Sequence, residues 1–99
     1  MEITKTLDKS KLTIALTGRL DTLTSPQLQS ELDQSLNGID ELFLDMSALD
    51  YISSAGLRVL LSANKKMTAI GGSMAIANAN SVVKEVFEIT GFCDIFTIL

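Results

Sequence analysis

Two adjacent hydroxyls, Ser53 and Ser54, stand directly before Ala55-Gly56-Leu57. Serines ahead of a glycine and an apolar run mark a helix start, where a hydroxyl caps free backbone amides. Such a position also suits a phosphate, because the first amides and the positive end of the helix dipole hold anions. Ser54 is the first candidate for phosphorylation and Ser53 the second, with plain capping as the alternative role of the pair. A phosphate would add about −1.5 to −2 charges at neutral pH. Asp21, Asp45 and Asp50 are expected around the same loop, so the added charge would have to find a cation or repel. Gly56 has no side chain and would let another backbone approach closely. Asp21, Asp45, Tyr51, Ser53, Ser54, Gly56 and Arg58 therefore form the set that could touch a partner protein. Some have a plainer role as well: Asp21 in a turn, Asp45 holding loop amides with Ser47, and Tyr51 in loop packing.

What the chain lacks narrows the chemistry further. It contains no histidine and one cysteine, Cys93. That removes histidine general bases, Ser-His-Asp triads and the usual zinc sites. No nucleotide-binding glycine loop and no nucleophile elbow is present. An enzyme is not expected, nor is a metal or any other cofactor. A lone thiol cannot close an internal disulfide, and Cys93 is read as a small buried hydrophobe. The N-terminus has no signal-peptide pattern, and no apolar run approaches the roughly 20 residues of a membrane span. A cytoplasmic protein is expected. Eight basic against 12 acidic residues give −4 with no basic stripe, so neither nucleic acid nor a membrane is an expected partner.

The elements that must position these residues follow from periodicity. With 99 residues, 46% of them apolar, the chain suits one domain, residues 1–99. Ile3–Leu7 reads as an edge strand, followed by a polar turn. Leu12, Ile14 and Leu16 alternate as a half-buried strand, antiparallel to the first. Gly18-Arg19-Leu20-Asp21 is read as leaving the sheet. Ser25 as N-cap and Pro26 open a helix carrying Leu28, Leu32 and Leu36. Leu42-Phe43-Leu44 is a strand expected to be covered on both faces and to end at Asp45. Residues 47–53 are read as a loop. A second helix opens at Gly56-Leu57 with Leu60, Leu61, Ala63, Met67 and Ile70 on its apolar face. Met74–Ala77 is a buried strand, and Asn80 caps a third helix with Val82, Val83, Val86, Phe87 and Ile89 inward. Phe92–Leu99 is an apolar tail with a short last strand. The order β-β-α-β-α-β-α-β predicts an α/β fold with a mixed sheet: first hairpin antiparallel, then β-α-β units, covered by helices.

The stretch Asp45-Met46-Ser47-Ala48-Leu49-Asp50-Tyr51-Ile52-Ser53-Ser54-Ala55-Gly56-Leu57 resembles the signature of the STAS family, and Gly18-Arg19-Leu20-Asp21 resembles that family's turn after the second strand. The element order agrees along essentially the whole chain. The resemblance implies an anti-sigma factor antagonist. Its dephosphorylated form would sequester an anti-sigma factor that is also a serine kinase, and its phosphorylated form would let the kinase go. A phosphoserine phosphatase is the further partner this implies. The family pattern places the phosphorylated hydroxyl immediately before the glycine, where this chain has Ala55, so the modification must shift to Ser54 or Ser53 or be absent. Two other readings share the fold class. One is an aspartyl-phosphate receiver using Asp45, which lacks its acidic pair and late lysine. The other is a STAS regulatory subunit of a lipid-transport or other signalling assembly.

Overall fold

The computed structural model describes residues 1–99. Strands β1 (Glu2–Asp8) and β2 (Lys11–Leu20) form an antiparallel hairpin. Then follow α1 (Ser25–Ser35), β3 (Glu41–Ile52), α2 (Ser54–Ala69), β4 (Ser73–Ala77) and α3 (Ser81–Thr90). A single 3-10 turn, Phe92–Asp94, leads to the two-residue β5 (Thr97–Ile98). The sheet order is β1-β2-β3-β4-β5, and every pair after the first is parallel.

The register aligns Leu12 with Leu42 and Met74, and Ile14 with Leu44 and Ile76. These side chains are buried and form one core with Leu28 and Leu32 of α1, Leu57, Leu60, Ala63 and Met67 of α2, and Val83 and Phe87 of α3. The alternate row, Thr13, Phe43 and Ala75, is only half-buried. The expected cover on both faces of the third strand is therefore corrected: one face carries the helices and the other is open. Phe43 is shielded instead by the Lys11 ammonium, 4.9 Å from its ring centre.

Two further corrections concern strand length. β2 does not leave the sheet at Gly18 but runs to Leu20, and β3 does not end at Asp45 but runs to Ile52. The cause lies in the pairing. Ala15 and Thr17 pair with Asp45 and Ala48, and Gly18 and Arg19 pair with Leu49 and Tyr51, so β3 carries one extra residue at each step. Burial along β3 follows suit, falling on Leu42, Leu44 and Met46, then Leu49, then Ile52. A strand bulged twice loses its period of two, and the sequence pattern then resembles a loop. Gly18 accommodates the irregularity on β2 with φ of +102°, a backbone state closed to most side chains.

Some predicted side chains point elsewhere. Val82, Ile89 and Ile70 are exposed at the flanks of their helices rather than inward. Cys93 is exposed, because the 3-10 turn carries it to the surface while Phe92 and Phe96 stack at 5.2 Å. The N-cap of α1 is Thr24, not Ser25. No helix is long and apolar enough to cross a membrane.

Candidate functional site

The ends of β2 and β3 meet at the start of α2. The Ser53 amide donates to the Leu20 carbonyl at 2.9 Å, which ties the last residue of β2 to the residue preceding α2. Ser53 is the N-cap, and its hydroxyl accepts from the Gly56 amide. Ser54 is the first helical residue and is exposed. The sequence reading left capping to the pair; the structure gives it to Ser53. Ser53 thus spends its oxygen inside the chain, while the Ser54 hydroxyl has no hydrogen bond and faces solvent.

Gly56 is buried. A Cβ at this position would lie 2.7 Å from Leu20 Cγ and 2.9 Å from Ile52 Cγ1. The close approach that this glycine permits is therefore internal, between α2 and the ends of β2 and β3. This corrects the expectation that it admits a partner's backbone.

The turn after Leu20 is built by reciprocal hydrogen bonds. Asp21 Oδ1 accepts from the amides of Leu23 and Thr24 at 3.0 and 3.1 Å. Thr24 Oγ1 accepts from the Asp21 amide and donates to the Arg19 carbonyl. The buried Ser25 hydroxyl donates to the Asp21 carbonyl. The Thr24 amide is the largest influence holding the Asp21 carboxyl below its ordinary range; partial desolvation opposes it, and the Leu23 amide, the Thr24 hydroxyl and the Arg19 charge assist. Arg19 lies with its guanidinium 4.4 Å from the Tyr51 ring centre and its Nε 3.7 Å from Asp21 Oδ2. Tyr51 is consequently a strand residue covered by an arginine, not a loop residue. So rigid a turn presents Leu23 to solvent, 88% exposed. Sequence reasoning passed over Leu23 and Thr24, and gave Arg19 no role beyond its place in the Gly18–Asp21 motif. An Asp-x-x-Thr spacing before Pro26 was the available signal for the turn, whereas the Arg19–Tyr51 contact depends on register.

Asp45 does not join this group. It sits in mid-strand, seven residues before Ile52, roughly 20 Å away at strand rise. Its Oδ1 accepts from Asn78 Nδ2 at 3.1 Å and from the Ser47 amide at 3.0 Å, in that order the main causes of its lowered pKa. Its part is to join β3 to the end of β4. Asp50, the residue skipped between the paired Leu49 and Tyr51, is exposed. Arg58, one turn along α2 from Ser54, is exposed as well. The structure thus gathers Asp21, Tyr51, Ser53, Ser54 and Arg58 at one end and leaves Asp45 apart.

Known proteins resemble this chain in sequence and in fold. BtrV of Bordetella bronchiseptica, provisionally described as an anti-sigma factor antagonist, is 38% identical over 96 residues, covering 94% of this chain and 83% of its own. The anti-sigma F factor antagonist of Paenibacillus polymyxa is 28% identical over 89 residues, covering 88% and 76%. Among solved structures, the phosphorylated form of the Bacillus cell fate determinant SpoIIAA superposes with a TM-score of 0.78 at 16% identity, covering 99% of this chain and 91% of that one. The STAS domain matches residues 2–99, and with the mixed sheet, the one-sided helices and the serine-led second helix in place, the chain belongs to the STAS family.

Proposed function

We propose that this chain is an anti-sigma factor antagonist that acts by binding rather than by catalysis, with its contact to the anti-sigma factor set by phosphorylation of Ser54. The observation that carries this is the division of labour between the two serines. Ser53 caps α2 and is occupied, whereas Ser54 is exposed, unbonded and at the positive end of a 16-residue helix. The names of BtrV and of the Paenibacillus protein support the partner class. The phosphorylated SpoIIAA structure supports a modification on this fold.

In this reading the anti-sigma factor is also the kinase and works in the cytoplasm. The γ-phosphoryl group of ATP passes to Ser54 Oγ, ADP leaves, and the hydroxyl proton goes to a base of the kinase. A phosphoserine phosphatase reverses the step by hydrolysis. Unmodified Ser54 lets Leu23, Tyr51 and Arg58 dock. The phosphate adds about two negative charges to the end of the molecule that already carries Asp21 and Asp50 and opposes docking.

The test is a phosphate map by mass spectrometry after incubation with the anti-sigma factor of the same cell and ATP. Phosphate is expected on Ser54, lost in Ser54→Ala, with binding retained in that variant. Ser53→Ala is expected to keep phosphorylation while costing about 1 kcal/mol of stability through the lost cap. Phosphate on Ser53 alone would reassign the residue. Phosphate on neither, with binding indifferent to Ser54→Asp, would refute the switch.

A further inference from the structure

One cation at the Ser54 end of the molecule has no partner in the folded chain. Arg58 lies four residues beyond Ser54 on α2, so the two share one exposed flank of the helix. Its guanidinium enters none of the ion pairs or aromatic contacts of the chain. The other cation at this end, Arg19, is already held by Tyr51 and Asp21. Lys65, the next cation along α2, is seven residues further on, about 10 Å of helix rise away.

Resting on the assignment of Ser54 as the modified residue, we propose that Arg58 is the internal counter-ion of the Ser54 phosphate. An anion one turn N-terminal to a cation is the favourable order for such a pair on a helix. The guanidinium fork matches two phosphate oxygens, which a single ammonium does not. Phosphorylation then changes the docking face in two ways at once. It adds negative charge at Ser54, and it draws Arg58 away from solvent, where the unmodified chain offers it to a partner. The switch is thereby written into the chain's own helix and needs no cation from elsewhere to order the phosphate.

The experiment uses the full chain with phosphoserine installed at position 54 by genetic encoding, so that no kinase is needed. The phosphate is titrated by phosphorus NMR through its second ionisation, ordinarily near about pH 6. Its midpoint is expected to rise by about half a pH unit in Arg58→Gln, a shift smaller than that of a buried pair because the site is wet. Arg58→Lys should recover part of the difference, keeping the charge without the fork. Lys65→Gln, which removes an equal charge from the same helix, should titrate like the parent. An unchanged midpoint in Arg58→Gln overturns the pairing, and so does an equal shift in Lys65→Gln, which would indicate a general field. Failure of the kinase to label Ser54 in the unmodified chain would strike the site assignment instead, while the titration would still report on the pair.

Discussion

A single atom separates the roles of two neighbouring serines: the amide hydrogen of Gly56, which occupies the Ser53 oxygen and leaves that of Ser54 free. Residue-scale reasoning also singles out Leu23. A leucine 88% exposed would be unremarked on a mobile loop, but here Asp21 and Thr24 fix the backbone on both sides of it. With its backbone already fixed, Leu23 has only its own rotamers left to order on docking. Leu23→Ser is therefore expected to weaken binding of the anti-sigma factor by about 1.5 kcal/mol, the lower end of what burial of such a side chain is worth. Its melting temperature should match that of the parent, because the side chain touches little in the free protein. Calorimetric binding and melting on the same preparation check both halves. Loss of melting temperature with affinity intact would assign Leu23 to the fold.

At the scale of elements, the seat of α2 on the sheet rests on Gly56. Gly56→Ala gains helix propensity, up to about 1 kcal/mol, yet must fit a methyl group 2.7 Å from Leu20 Cγ. Overpacking of this kind costs about 1–3 kcal/mol, so the net change is expected to be destabilising. Denaturant midpoints measure it, and a more stable variant would show that Leu20 and Ile52 yield easily. The same element shows what the sequence could and could not reveal. Ser53, Ser54 and Gly56-Leu57 were legible as a helix start, since capping and propensity are local. The hairpin, Leu28, Leu32 and Leu36, and the alternation of Leu12, Ile14 and Leu16 were legible for the same reason. The reach of β3 to Ile52 was not, because bulges are decided by pairing with β2. Asp45 was consequently drawn toward the serines, since a loop folds back where a strand moves away. Val82 and Ile89 were read inward because periodicity marks an apolar flank without saying how much of it the sheet covers.

For the whole molecule, three carboxylates titrate below their ordinary value: Asp21 through the Thr24 amide, Asp33 through the Lys66 ammonium, and Asp45 through the Asn78 amide group. In the unfolded chain all three return to the ordinary value near 3.9. Their contribution to stability is complete above that value and is lost as pH falls through the lower folded values. Stability should thus change little on account of these groups between about pH 7 and 5 and decline below about pH 4. The double variant Asp21→Asn, Asp45→Asn should begin less stable at neutral pH and decline less steeply in acid. Urea unfolding across pH 2–7 checks the slope, and parallel slopes would show that these hydrogen bonds do not distinguish the two carboxyl forms. The effect concerns fold stability and is separate from the proposed phosphate on Ser54, whose second ionisation would fall at about pH 6.

The two bulges of β3 give the strand something like a reading frame. Each extra residue exchanges inside for outside, and two exchanges restore the original phase, so Ile52 faces the core as Leu42, Leu44 and Met46 do. Deleting one residue between Met46 and Tyr51 leaves one exchange uncorrected: Ile52 would turn to solvent and the serines would enter α2 from the wrong side. Deleting two, one from each bulge, returns the frame while shortening the strand. Removal of Asp50 alone should therefore abolish cooperative unfolding, whereas removal of Ser47 together with Asp50 should restore a measurable transition. Spectroscopic melts of the pair decide it, and a single deletion that melts like the parent would show that the chain absorbs the shift in the turn at Ser53. If the frame holds, the distance from the sheet to the start of α2 is tolerant of change in steps of two residues and intolerant of one.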